Sequence, residues 1–281
     1  MGMTESTVLC AGPGGFHRIA YADWGAPGNG TLLCVHGLTR NGRDFDRLAG
    51  ALEDSFRVVC PDVAGRGRSD WLADPAGYAN PLYVADMVTL LARLGAETVD
   101  WVGTSMGGIM GMLAAAMPGT PVRRLVLNDV GPFIPKAALA RIGDYVGKDP
   151  HFDDVAGVED YLRTVHASFG DLTDGDWRHM AEHGARRLDE GGYGLAYDPA
   201  IGNAFKGAPL PDVDLWAFWD AIQCPVLVLR GAESDLLPAE TAGEMTRRGP
   251  KATLVEFEGC GHAPALMAPD QIAAVREWLT G

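Results

Sequence analysis

The chain has 281 residues, 47% of them hydrophobic, and a formal net charge of −14 from 23 basic and 37 acidic side chains. That length suits one large α/β domain, and the acidic balance argues against nucleic acid, whose phosphates need clustered Lys and Arg, and against anionic membrane surfaces. No apolar run reaches the roughly 18 residues of a membrane span, no basic-then-apolar leader opens the chain, and Cys10, Cys34, Cys60, Cys224 and Cys260 include no C-x-x-C pair, so a reducing, cytoplasmic location is expected.

In chain order, an antiparallel pair is expected around residues 8–10 and 17–21, followed by strands at 31–35, 57–60, 99–102, 124–128, 226–230 and 253–257. Between them, 45–52, 82–94, 109–117, 239–247 and 271–279 carry apolar residues at helical spacing. Alternation of strand and helix is the signature of a mostly parallel sheet covered on both faces. It lapses between Gly131 and Trp216, where helices are expected at 135–146, 158–169 and 173–188 and no strand is. Thr173 or Asp174 can cap the last of these, and Gly191-Gly192-Tyr193-Gly194 and Pro209-Leu210-Pro211 read as loops.

Gly103-Thr104-Ser105-Met106-Gly107 is a G-x-S-x-G pentapeptide set between a strand and a helix. A serine in that turn must adopt strained backbone, and flanking glycines let neighbouring backbone come close, so the hydroxyl is presented as a nucleophile. The hydroxyl needs a base, and the base needs a group that holds its tautomer. His262, between the last strand and the last helix, would emerge at the same sheet edge and is the candidate base. Two aspartates could hold it. Asp235, in Gly231-Ala232-Glu233-Ser234-Asp235, is preferred; Asp129, which ends the strand at 124–128, is the alternative and otherwise a structural carboxylate at the base of the insertion. Oxyanion donors are expected from the Met106 and Leu38 backbone N–H groups, with His36 orienting the loop that carries Leu38.

With these residues in place, the chain resembles the α/β-hydrolase superfamily over nearly its whole length. The resemblance rests on Tyr21-Ala22-Asp23-Trp24-Gly25, Val35-His36-Gly37, Pro61 through Ser69, Gly103 through Gly107, Gly231 through Asp235 and Gly261-His262, six landmarks in order. It implies a central sheet of about eight strands formed by residues 1–131 and 217–281, a helical cap at 132–216, and a pocket between cap and sheet. It implies the same nucleophile, acid, base and oxyanion roles and no cofactor. Ser105 at the nucleophile position counts against dehalogenases and epoxide hydrolases, which carry Asp there. Ala263 after His262, where C–C hydrolases of ring-fission products often carry Trp, lowers that activity below hydrolysis of a small or medium carboxylic ester or lactone through an acyl-enzyme. A receptor that kept the fold and lost turnover is the reading from another class.

Three features are set aside. His179-Met180-Ala181-Glu182-His183 fits H-x-x-E-H, but with no third ligand evident in the sequence no metal is expected. Gly65-Arg66-Gly67-Arg68-Ser69-Asp70 lacks the third glycine of a dinucleotide loop and reads as a structural loop near the pocket mouth. Arg186-Arg187 reads as a solvated helix face rather than a carboxylate receptor.

Overall fold

The computed structural model describes residues 2–207 and 210–281; Pro209 of the expected loop lies outside the described residues. The elements are β1 (Thr4–Gly12), β2 (Gly15–Trp24), β3 (Gly30–Val35), α1 (Asp46–Leu52), β4 (Phe56–Pro61), α2 (Asn80–Leu94), β5 (Val99–Thr104), α3 (Met106–Ala115) and β6 (Val122–Asn128). An inserted stretch follows, with β7 (Phe133–Ile134), α4 (Lys136–Gly143), α5 (Val155–Val165), α6 (Asp174–Gly184), β8 (Ala185–Arg187), β9 (Tyr193–Leu195) and β10 (Val213–Asp214). The chain then returns through α7 (Trp216–Ala221), β11 (Val226–Gly231), α8 (Ala239–Met245), β12 (Thr253–Phe257) and α9 (Pro269–Thr280).

Eight strands form one sheet in the order β1-β2-β4-β3-β5-β6-β11-β12. The pairs β1–β2 and β2–β4 are antiparallel, and every pair from β4–β3 to β11–β12 is parallel. The central strands are covered on both faces, which is why they read as unbroken apolar runs: all six residues of β11 are buried, and five of six in β5. Two apolar clusters result, one per face, with Trp101 and Met110 in the first and Leu48 and Val275 in the second. Because the strands are parallel, the loops after β3, β5, β6, β11 and β12 all open at one edge, where the candidate site residues emerge.

The insertion corrects the expectation of helices alone. Its two ends pair with each other as the ribbon β7–β10, so the chain leaves and rejoins the sheet at one place. The expected third helix stops at Gly184, and β8 pairs antiparallel with β9 across Gly191 and Gly192. Both glycines sit at positive φ, 97° and 73°, the conformation that lets the chain reverse there. Tyr193-Gly194 is therefore strand rather than loop, and Arg186-Arg187 lies on β8, where the Arg186 guanidinium rests over the Trp71 ring. Thr173 does cap α6, in a reciprocal arrangement with Asp176.

Candidate active site

Ser105 stands between β5 and α3 with φ 52° and ψ −115°, a region a non-glycine residue rarely occupies. The turn is held so tightly that a Cβ on Gly103 would lie 2.3 Å from the Gly107 carbonyl oxygen, and one on Gly107 would lie 2.0 Å from that of Val35. Neither position can carry a side chain. The Ser105 N–H donates to the Asn128 carbonyl, tying the turn to β6.

His262 reaches this turn from beyond β12. The Gly261 N–H donates to the Ser168 carbonyl, the Ser168 hydroxyl donates to the His262 carbonyl at 2.7 Å, and the Asn128 amide donates to the Pro264 carbonyl at 2.8 Å. The loop is thereby stretched across the end of β11. His262 Nε2 lies 3.0 Å from Ser105 Oγ, and Nδ1 lies 2.7 Å from Asp129 Oδ2. An ionised carboxylate only accepts, so Nδ1 carries the proton and Nε2 presents its lone pair to the serine hydroxyl.

The carboxylate beside His262 is thus that of Asp129, and the preferred Asp235 is not there. Asp235 is half exposed and forms a two-pronged ion pair with Arg141 of α4, at 2.5 and 2.8 Å. The reason lies in sheet order and one tight turn. β6 neighbours β5 directly, whereas β11 is one strand further off. After β11 the Ser234 N–H closes a turn onto the Gly231 carbonyl, and Ser234, not Asp235, faces inward. The Gly231-to-Asp235 segment still serves the site: the Gly231 N–H and the Ser234 hydroxyl donate to Asp129 Oδ1 and Oδ2 at 2.8 and 2.6 Å. Asp129 is fully buried, sits at φ 55°, and accepts three hydrogen bonds.

Leu38 and Met106 both line the space beside Ser105, Met106 as the first residue of α3. His36 is buried, with Nδ1 2.7 Å from the Gly37 carbonyl oxygen and Nε2 2.9 Å from the Val63 nitrogen. The carbonyl can only accept and the amide can only donate, so the imidazole is neutral with its proton on Nδ1. In a trans peptide the carbonyl and N–H point opposite ways, so anchoring the Gly37 carbonyl directs the Leu38 N–H away from His36. Arg66, wholly buried, fixes the next peptide by donating to the Leu38 carbonyl at 2.8 Å. The Gly65-to-Asp70 loop is thus an internal brace, and its arginine was missed by sequence reasoning because a charged residue in a glycine-rich loop usually signals solvent.

Burial lowers the His36 imidazole from 6.5 to about 4, partly offset by its bond to Gly37. Between those values the unfolded chain binds the extra proton and the folded chain does not, so the His36 contribution is complete above pH 6.5 and is lost as pH falls. At about 1.4 kcal/mol per pH unit, it loses about 2 kcal/mol between pH 6.5 and 5. Urea unfolding at pH 7 and pH 5 should therefore show the stability gap between wild type and His36→Asn narrowing by about that amount. An unchanged gap would contradict the assignment.

Two chambers meet at Ser105. One, of about 60 Å³, runs past His262 and is walled by Tyr145, His166, Phe169 and Met180 of the insertion. The other, of about 440 Å³, runs past Leu38 and Met106 and is walled by Ile109, Leu139 and Phe205 among others. His166 is over nine-tenths buried, stacks on Phe169 with ring centroids 4.4 Å apart, and is held well below the usual imidazole range by burial. It enters the chamber as a neutral ring. All five cysteines are free thiols.

A family model described as "Alpha/beta hydrolase family" matches residues 32–275. The chain belongs to the alpha/beta hydrolase family. It is 50% identical to a 3-hydroxybutyrate-oligomer hydrolase of Cupriavidus necator over 98% of this chain and 97% of that one. It is 27% identical to a pimeloyl-[acyl-carrier protein] methyl ester esterase of Pectobacterium atrosepticum, over 86% of this chain and 91% of that one. Among solved structures, an alpha/beta hydrolase from Novosphingobium aromaticivorans superposes with a TM-score of 0.87 at 36% identity, covering 98% of both chains. The expectation of a hydrolase acting on esters agrees with these relatives. Among the described residues no helix is long and apolar enough to cross a membrane.

Proposed function

We propose that this hydrolase cleaves short linear oligomers of a hydroxyalkanoic acid at their internal ester bonds, with Ser105, His262 and Asp129 as its triad. Ser105 Oγ attacks the ester carbonyl while His262 Nε2 takes its proton; Asp129 stabilises the imidazolium that forms. The Leu38 and Met106 N–H groups receive the oxyanion, each donor worth about 10²- to 10³-fold in rate. Collapse of the tetrahedral intermediate expels the alcohol, which takes the proton from His262, and leaves an acyl-Ser105 ester. Water, deprotonated by His262, then releases the acid and restores the serine. Residues 132–216 act as the cap that closes over the reacting bond.

The observation that carries the substrate class is the junction of two chambers at Ser105, one for each side of the scissile ester. An oligoester needs room for both an acyl unit and an alcohol unit that is itself a chain. Both walls are mainly apolar, matching methyl-bearing repeat units, and the 50% identical relative is an oligomer hydrolase by name. The test is hydrolysis of methyl 3-hydroxybutyrate beside the linear dimer and trimer of 3-hydroxybutyrate. The trimer is expected to exceed the methyl ester in kcat/KM by on the order of tenfold or more, since each buried methylene-sized group contributes about 0.8 kcal/mol. Equal values, or preference for a ring-fission dienoate, would overturn the substrate class.

A further inference from the structure

The H-x-x-E-H run of α6 gains in three dimensions what it lacked in one. His179 and His183 lie one turn apart with ring centroids 4.6 Å apart, and Asp46, at the start of α1, completes a set whose ligand atoms all fall within 4.8 Å of one another. We propose that Asp46, His179 and His183 bind a divalent transition-metal ion of the Zn²⁺ class, which clamps α6 of the insertion onto the first turn of α1 beside the active-site chamber.

The donor set is two imidazoles and one carboxylate, which suits zinc and its neighbours rather than Ca²⁺ or Mg²⁺. Tetrahedral zinc with bonds near 2.0–2.1 Å places its ligands about 3.3 Å apart. His179 Nε2 already stands 3.5 Å from Asp46 Oδ2, so the widest separation must close by about 1.5 Å at most, within reach of rotamer adjustment on partly exposed side chains. Three protein ligands leave a fourth position for water. His179 Nε2 also lies 2.9 Å from the Arg43 carbonyl oxygen and donates to it. Coordination through Nε2 takes the place of that hydrogen bond and leaves the Nδ1 N–H as the ring's outward donor, as metal-bound imidazoles usually have.

The competitor is Arg43, whose guanidinium grips both oxygens of Asp46 at 2.5 to 2.9 Å. It is not left unpaired when a metal takes the carboxylate, because Glu5 stands 3.5 Å from its other amino group. The neighbouring contacts already run across the same seam: the Asn41 amide donates to the His183 carbonyl at 3.0 Å, and Arg47 pairs with Asp176 at 3.1 Å. The clamp bears on the chamber directly, since Asp44 and Phe45 just before Asp46, and Met180 just after His179, are chamber walls. The other compact group among the described residues, Cys10 with His17 and Asp86, is fully buried, and burial holds its thiol up to about 12, so it offers neither access nor a thiolate.

The test is calorimetric titration of Zn²⁺ into the full chain after treatment with EDTA, with Co²⁺ absorption as a second readout. Wild type is expected to bind one ion with micromolar or tighter affinity, to show the visible bands of tetrahedral Co²⁺, and to unfold at a higher temperature as Zn²⁺ rises. His183→Ala and His179→Gln should each weaken binding by on the order of tenfold or more and abolish the thermal shift, while keeping the wild-type circular dichroism spectrum. Two independent variants guard against one failing to fold, and the wild-type titration stands without either. Absence of binding in wild type at 100-fold excess metal, or unchanged affinity in both variants, would overturn the proposal.

Discussion

Replacing Ser105 with alanine is expected to lower kcat for ester hydrolysis by about 10⁶-fold while leaving KM and the unfolding temperature near wild type. The loss is large because, in the proposed mechanism, the serine oxygen is the one protein atom that forms a bond to the substrate. What remains is about 10³- to 10⁴-fold over water from the oxyanion donors and from binding. Stability should not change much, since alanine inherits the strain of φ 52° and its methyl group occupies the place of the serine Cβ. Steady-state hydrolysis of p-nitrophenyl butyrate, with a rapid-mixing trace for the acyl-enzyme burst, measures it. A variant that kept activity within tenfold of wild type, or kept its burst, would remove Ser105 from the nucleophile role.

Asp129→Asn should lower kcat by about 10⁴-fold, and Asp235→Asn should leave it within about twofold of wild type. The first substitution presents an amide N–H to His262 Nδ1, 2.7 Å away, and so drives the imidazole to the tautomer whose Nε2 carries the proton and cannot accept from Ser105. It also disturbs a carboxylate that receives the Gly231 N–H and the Ser234 hydroxyl. The second substitution breaks only a half-exposed pair with Arg141, of a kind worth about 0–1 kcal/mol. A large loss in Asp235→Asn with little in Asp129→Asn would reverse the assignment. Ser234→Ala is the natural companion variant, since it removes one of the bonds that orient Asp129.

The contrast between these two aspartates marks where a linear reading reaches its limit. Both follow a parallel strand, both precede His262 in the chain, and nothing local to either separates them. What separates them is that β6 lies next to β5 in the sheet, and that the turn closed by Ser234 and Gly231 rotates Asp235 outward toward Arg141. Arg66 escaped notice for a related reason. Its partners, the Leu38 carbonyl and the Tyr83 hydroxyl, lie 28 and 17 residues away, and only the fold makes a buried guanidinium there satisfiable. The hairpin β8–β9 was hidden because three-residue strands carry too little alternation to register beside a strong helical pattern.

The alternation of buried strands and helices, the pentapeptide around Ser105 and the histidine after the last strand are local features. Hydrophobic period and turn chemistry act over a few residues, so the sheet, the edge where its strand-end loops gather and both partners of the Ser105–His262 contact were legible from the chain. Strand order, the choice of Asp129, the bracing of Leu38 by His36 and Arg66, and the meeting of Asp46 with His179 and His183 depend on which distant segments become neighbours. The contacts that fix them, from His36 with the Val63 N–H to Asp46 with His183, span from 27 to 137 positions in the chain and are set by packing of the whole, which no window of sequence contains.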